Sequence, residues 1–301
     1  MLLAFGLYYV FSGSVVLPQS FSLGPLTVRY YGITMALAVG AGWWLALKRA
    51  VRFGVTTAQA DSLLQWLVLG GFIGARLYHV ASSWQYYWQY PVDIFKVWQG
   101  GLSIFGALLG GFVIVVIFVF KGNLLVGSSD HATPNPSYLR RGRGERALHL
   151  LDWLIPSVVL GQIIGRFGNF FNYEAFGYPT RLPWKMFVPI QFRPEQLVQS
   201  AFFHPLFLYE ALGSLLILCV LLLLSKRKNL AAGNLFFLYL FLYNALRFVI
   251  EFGRVDSTFL WGIIRLNSLT SAVLCMVGLA GLVLGSLAVG KSTFFSKSKG
   301  N

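Results

Sequence analysis

The amino-acid sequence predicts an all-α polytopic membrane protein with seven transmembrane helices, and three observations carry that prediction. Of 301 residues, 56% are hydrophobic and only 11% charged, and the mean hydropathy of +0.67 lies beyond what a soluble domain of this size shows. Apolar runs of roughly 20 residues, the length a helix needs to cross about 30 Å of hydrocarbon, recur seven times. The basic residues fall between those runs, so membrane topology accounts for the net charge of +14 better than a nucleic-acid surface does.

Residues 1–16 are apolar and aromatic but short, without a basic leader or a small-residue cleavage site, and read as an interfacial helix instead of a cleaved signal peptide. After the Pro18 to Pro25 turn, the spans are expected at 30–47, 62–81, 102–120, 150–168, 204–224, 233–252 and 266–289. Residues 128–144, rich in Ser, Pro, Gly and Arg, read as a flexible loop, and 176–203, with four prolines, as a small external head. The resulting organisation is an external N-terminal segment at 1–29, a membrane domain at 30–289 and a tail at 290–301. Cys219 and Cys275 lie inside apolar runs, where a thiol behaves as a small hydrophobe, so neither a disulfide framework nor a metal site is expected.

Orientation follows from the basic residues. One set of loops, with the tail, carries 14 Lys and Arg, and the other set carries 7. The positive-inside rule therefore places the N-terminus outside and the C-terminus in the cytoplasm. Arg76, Arg166 and Arg247 remain, all within spans.

With that orientation the polar residues of the spans converge. Arg76, His79, Arg166, Asn169 and Arg247 lie toward the outer ends of outward-running spans, and Tyr31, Gly100, Gly101, Ser103, His204, Tyr209 and Glu210 toward the outer ends of inward-running ones. Polar groups in a membrane are costly, and helix-packing pairs alone have no reason to gather at one depth. In the sixth span, at 100° per residue, Tyr243, Asn244, Arg247, Glu251 and Arg254 share a stripe about 100° wide. Arg247 and Glu251, at i and i+4, can pair as packing partners, yet one carboxylate does not neutralise Arg247, Arg254, Arg166 and Arg76 together. Surplus cation at headgroup depth suits a phosphate, whose oxygens match the planar fork of arginine. The basic face therefore reads as a phospholipid headgroup site.

Other features have structural readings. Gly70, Gly71, Gly74, Gly106, Gly110, Gly111, Gly161 and Gly165 have the spacing that lets helices approach closely. Gly100-Gly101 suits a backbone turn near the site, and His204 before Pro205 suits a helix start. Trp84, Trp88, Trp98 and Trp184 suit an interfacial aromatic belt.

The run Gly165-Arg166-Phe167-Gly168-Asn169-Phe170-Phe171-Asn172-Tyr173-Glu174, with Gly177 beyond it, resembles the signature of the prolipoprotein diacylglyceryl transferases. Four further motifs are similar to that family's, in order: Arg29-Tyr30-Tyr31-Gly32; Gly74-Ala75-Arg76; Trp98-Gln99-Gly100-Gly101-Leu102-Ser103; and His204-Pro205 with Leu208-Tyr209-Glu210. A fifth, Arg247-Phe248-Val249-Ile250-Glu251-Phe252-Gly253-Arg254 followed by Asp256, completes the set. The resemblance implies transfer of the diacylglyceryl group of phosphatidylglycerol to the lipobox cysteine thiol of preprolipoproteins, at the outer leaflet of a bacterial plasma (inner) membrane, without metal or cofactor. The resemblance and the convergence of polar residues together assign catalysis to Arg247, Arg166 and Tyr31, and the position of His79 in its span adds that histidine. Substrate binding is assigned to Arg166, Asn169, Glu174, Arg247, Glu251, Arg254, Arg76, Gly100, Gly101, Gly177, His204, Tyr209 and Glu210, with Glu174 and Glu251 orienting the arginines.

The chain departs from the family pattern in two places: Phe105 stands where many members have histidine, and Asn267-Ser268-Leu269-Thr270 replaces a Gly-Gln pattern at the start of the seventh span. His79, near the outer end of the second span, is either an interfacial histidine or a substitute for the missing imidazole, whose ordinary pKa near 6.5 suits a thiol base. The alternative function is a phospholipid flippase or transporter. Transporters place polar sites near the midplane, whereas the inner halves of these spans are almost uniformly apolar.

Overall fold

The computed structural model describes residues 16–24, 26–53, 55–97, 100–121, 142–227, 230–255, 259–260 and 264–298. The interfacial helix expected before Val16, Trp98, Asp256 and nearly all of the loop expected at 128–144 lie outside the described residues. Long helices dominate: α1 (Tyr30–Ala50), α2 (Thr57–Ser82), the short α3 (Trp84–Gln89), α4 (Ile104–Lys121), α5 (Arg143–Phe171), α6 (Leu206–Leu224), α7 (Asn234–Glu251) and α8 (Leu266–Ser298).

Among the described residues six helices are long and apolar enough to cross a membrane, within α1, α2, α5, α6, α7 and α8. The expected third span, in α4, is shorter as an apolar helix, Phe105–Phe120. Its start is set by Gly100 and Gly101, whose φ values of +97° and +76° belong to the left-handed region that glycine adopts freely. Leu102 and Ser103, counted into the span from hydropathy, precede the helix. Conversely, α5 begins at Arg143 and α2 at Thr57, earlier than the apolar runs, because hydropathy marks what faces lipid and not where helical backbone begins. A capping box starts α2: the Thr56 hydroxyl accepts from Gln59 N at 3.2 Å and Gln59 Oε1 accepts from Thr56 N at 3.0 Å. The helix of the seventh span continues to Ser298, into the segment expected as a tail.

The all-α expectation is corrected in the described loops, which carry three antiparallel two-stranded pairs: β1 (Ser20–Leu23) with β2 (Leu26–Arg29), β3 (Met186–Phe187) with β4 (Phe202–Phe203), and β5 (Phe259–Leu260) with β6 (Ile264–Arg265). Strands this short lack the length to show a periodicity of two.

The chain forms two compact units, Met1–Leu45 with Leu154–Asn301, and Ala46–Trp153. In the first, α1 lies against α5 through small residues: a Cβ on Gly161 would stand 3.4 Å from the Ala38 carbonyl oxygen, and one on Gly168 only 2.7 Å from Thr34 Oγ1 and 2.8 Å from the Tyr31 ring. The α7 and α8 helices meet at Gly278, where a Cβ would lie 2.5 Å from Phe241 N. The head folds on the ends of α5 and α6 around Phe170, Tyr173, Phe176, Met186, Val188, Phe203 and Phe207. Backbone hydrogen bonds tie it down, Gly177 N to His204 O at 2.8 Å and Phe207 N to Ala175 O at 3.0 Å among them. Exposed positions along the long helices are apolar, as with Leu37, Leu216, Val249 and Leu284.

In the second unit α2 and α4 are in backbone contact at glycines. A Cβ on Gly74 would stand 2.3 Å from the Gly106 carbonyl oxygen, and one on Gly110 2.1 Å from that of Gly70. The glycine stripes read from the sequence are therefore packing seams. At the other end of this unit Arg49 is buried, its Nη2 donating to the Asp152 carbonyl at 3.4 Å and its guanidinium lying over Phe53 at 5.3 Å.

Candidate active site

Three helices of the first unit present charge at one end. Arg166 lies five residues before the end of α5, Glu210 four after the start of α6, and Arg247 four before the end of α7. At about 1.5 Å per residue all three sit roughly 6–8 Å inside their helix ends. Glu210 is the hub, with its side chain 2% exposed. Its Oε1 is 2.6 Å from Arg166 Nη2 and accepts from the Tyr243 hydroxyl at 2.9 Å, and its Oε2 is 2.8 Å from Arg247 Nη1. Arg166 Nη2 also donates to the Tyr243 hydroxyl at 3.2 Å.

This geometry leaves donors over. Arg166 Nη1 and Nε, and Arg247 Nη2 and Nε, make no hydrogen bond among the described residues. One carboxylate shared by two guanidiniums carries a net charge of +1, and the side chains of Arg166 and Arg247 keep 22% and 16% exposure. The cluster is thus a preorganised pair of cations whose free N–H groups face outward from a buried anchor, which is the arrangement an anionic oxygen ligand requires.

Around the hub lie three smaller groups. Glu251, 0% exposed, has Oε2 3.8 Å from Arg247 Nη2 and 3.9 Å from Arg254 Nε, while Oε1 accepts from Asn267 Nδ2 at 3.2 Å. Glu174 accepts from Asn169 Nδ2 and Asn172 Nδ2, both at 3.3 Å. The flanking Tyr173 and Ala175, each with φ of 55°, hold that turn in a conformation rare for non-glycine residues. The Tyr209 hydroxyl accepts from the Trp184 indole at 2.8 Å and lies 3.0 Å from His204 Nδ1.

Several expectations change in the light of these positions. Glu174, expected to orient arginines, instead holds two amides, whereas Glu251 lies between Arg247 and Arg254 and Glu210, expected only as a substrate contact, lies between Arg166 and Arg247. Gly177 makes a close backbone approach: a Cβ there would lie 2.7 Å from the Gly253 carbonyl oxygen. His204 is more than a helix start, since its ring meets Tyr209. Tyr31 packs its ring on Gly168, and its hydroxyl makes no hydrogen bond among the described residues.

Arg76, His79, Gly100 and Gly101 come together in the second unit. Arg76 donates to four carbonyls, those of Asp93 at 2.5 Å, Ile94 at 2.8 Å, Gly100 at 2.8 Å and Gly101 at 2.9 Å. It braces the turn between α3 and α4 with donors that a ligand would otherwise use. In the same turn, Lys96 at 2.6 Å and the Tyr86 hydroxyl hold the Asp93 carboxyl below its ordinary range. His79 packs against Gly101, whose added Cβ would stand 2.7 Å from His79 Nε2, and edge-on to Tyr87. Phe105 is 67% exposed and its ring partner is Tyr78, so the geometry pairs position 105 with Tyr78 and not with His79.

Residues outside the predicted site also take part. Tyr243 is visible on the polar stripe one turn before Arg247, Asn172 stands in the Gly165–Glu174 run and Asn267 in the segment that departs from the family pattern, but the sequence does not show which carboxylates they meet. Gln162, which donates to the Tyr239 hydroxyl at 2.8 Å, was hidden among packing residues.

Comparison with known proteins adds to this geometry. A family model described as prolipoprotein diacylglyceryl transferase matches residues 18–135 and 136–284. The phosphatidylglycerol–prolipoprotein diacylglyceryl transferase of Synechococcus elongatus is 41% identical over 272 residues, covering 88% of this chain and 86% of that one. Proteins of the same name from a Nostoc species and a Synechocystis species are 39% and 38% identical over 270 and 275 residues, each covering 88% of both chains.

Proposed function

The chain belongs to the prolipoprotein diacylglyceryl transferase family, and from that premise we propose that it moves the diacylglyceryl group of phosphatidylglycerol to the lipobox cysteine of a preprolipoprotein. It is a transferase of lipoprotein biosynthesis. In the reaction the thiolate sulfur attacks the glyceryl carbon that carries the phosphate, the carbon–oxygen bond breaks as the thioether forms, and glycerol phosphate leaves. The observation that carries this reading is the buried Glu210 clasping Arg166 and Arg247, with their remaining donors unengaged.

Each residue then has a task. Arg166 and Arg247 hold the phosphate and stabilise the charge that grows on the departing oxygen. The net positive site also favours the thiolate over the thiol, and His79 is the candidate acceptor of the thiol proton. Glu210 fixes the spacing of the two arginines, with Tyr243 completing the hub, and Glu251 and Arg254 extend the cationic face. Asn169 and Glu174 present polar groups beside Arg166, Tyr31 offers an unengaged hydroxyl, and His204 with Tyr209 steadies the head beside Glu210. Arg76 serves through the Gly100-Gly101 turn it braces, and Gly177 through the backbone contact it permits.

The organisation proposed for the membrane is seven spans over 30–289, with the segment at 1–29 and the head at 176–203 outside and 290–301 cytoplasmic. The site then lies toward the outer leaflet of the plasma membrane, where lipobox peptides emerge. The positive-inside count supports this orientation, and the apolar character of α4 supports the seventh crossing. Purified protein incubated with phosphatidylglycerol and a lipobox peptide should yield a diacylglyceryl thioether by mass. Translocation of labelled lipid across proteoliposomes without any thioether would favour the flippase instead.

A further inference from the structure

We infer that Asn267 is a positioning residue that holds the Glu251 carboxylate out of hydrogen-bonding reach of Arg247, so that this guanidinium keeps donors for the lipid phosphate. The inference rests on the proposed function and concerns how the same site stays open to its substrate.

A carboxylate beside guanidiniums ordinarily closes to about 2.7–2.9 Å. Glu251 does not, although it is fully buried and has two arginine side chains before it. Its Oε2 stands 3.8 Å from Arg247 Nη2 and 3.9 Å from Arg254 Nε, and that oxygen has no hydrogen-bond partner. The restraint comes from the opposite side. Asn267 Nδ2, in the first turn of α8, donates to Oε1 at 3.2 Å, and Arg265 donates to the Glu251 carbonyl oxygen.

The consequence falls on Arg247. Its Nη1 is engaged with Glu210 at 2.8 Å, while Nη2 and Nε make no hydrogen bond among the described residues. Were Oε2 to advance by about 1 Å it would form a charge-assisted hydrogen bond with Nη2, and a phosphate would then have to displace it. Attraction at the observed distance still steadies the guanidinium. An amide suits the task because it donates one hydrogen bond without adding charge, whereas lysine or arginine at position 267 would itself pair with Glu251. Asn267, the first of the residues that replace a Gly-Gln pattern at this helix start, thereby acquires a role.

The test uses the full-length protein with phosphatidylglycerol in mixed micelles and a lipobox peptide. Asn267→Leu, close in volume but unable to donate, is expected to raise KM for phosphatidylglycerol at least about tenfold, the scale of a lost hydrogen bond to a charged group. The peptide KM and kcat should stay close to the parent's. A general disturbance of the α8 start would instead lower the melting temperature and move all three. In a Glu251→Gln background the second substitution should add no further loss, because a neutral amide is not drawn to Arg247. If activity there is too low for kinetics, equilibrium binding of phosphatidylglycerol to the same four proteins gives the comparison.

An unchanged KM for phosphatidylglycerol in Asn267→Leu overturns the inference, as does an equal further loss in the Glu251→Gln background. Failure of the unmutated protein to form any thioether would instead refute the transferase reading itself, so the two failures are distinct.

Discussion

At Glu210 the removal of one charge has a large consequence. Glu210→Gln keeps the shape but leaves Arg166 and Arg247 facing each other without the buried charge between them, a loss of about 3–5 kcal/mol by analogy with broken buried pairs. Thermal unfolding in detergent should show the destabilisation, and thioether formation should fall with it. Arg247→Lys restores charge but not the planar fork. It should lose transfer about a hundredfold, the cost of one preorganised donor to a developing oxyanion, while melting near the parent. Parental transfer rates in Arg247→Lys would remove that residue from the phosphate site. Glu174→Gln should be milder, because its two partners are amides and not cations. The arginines were legible in the sequence because a charge inside an apolar run is conspicuous. Apart from Glu251 one turn from Arg247, their partners were not, since depth along a helix says nothing about which carboxylate faces which guanidinium, and Glu210 stands where Glu174 was expected.

At the scale of elements, the α1 and α5 contact makes its own prediction. Gly168→Val places a side chain where 2.7 Å separates an added Cβ from Thr34 Oγ1 and 2.8 Å from the Tyr31 ring. The helices must separate or Tyr31 must turn away, so both melting temperature and transfer rate should fall, while Gly165→Ala, with only Met35 Sδ nearby at 3.8 Å, should be tolerated. Equal behaviour of the two variants would contradict the packing described. His79→Phe tests the proposed thiol base: loss of transfer at a parental melting temperature is expected, and parental transfer would leave deprotonation to the site's positive potential. Helices were legible because six of them hold apolar runs of spanning length. The short hairpins were not, since two to four residues of strand carry no periodicity, and the α4 start was misplaced by a turn set by two glycines with positive φ.

For the whole molecule the orientation is open to a direct check. Single cysteines introduced into a variant lacking Cys219 and Cys275, one at Tyr178 in the head and one at Lys226 beyond α6, should react with a membrane-impermeant maleimide from outside and only after permeabilisation, respectively. Reversed labelling would invert the topology and with it the leaflet proposed for the site. The central claim, that the Glu210-anchored arginine pair holds the phosphate of phosphatidylglycerol while its diacylglyceryl group passes to a thiol, is tested most directly by one mass-spectrometric assay. Purified protein and its Arg166→Ala and Arg247→Ala variants, reconstituted with phosphatidylglycerol and a lipobox peptide, are followed for peptide thioether and released glycerol phosphate. The account predicts equimolar appearance of both products with the parent and near-complete loss of both with either variant at normal abundance and melting temperature. Thioether formation at the parental rate by a folded variant, or none from the parent, would contradict it.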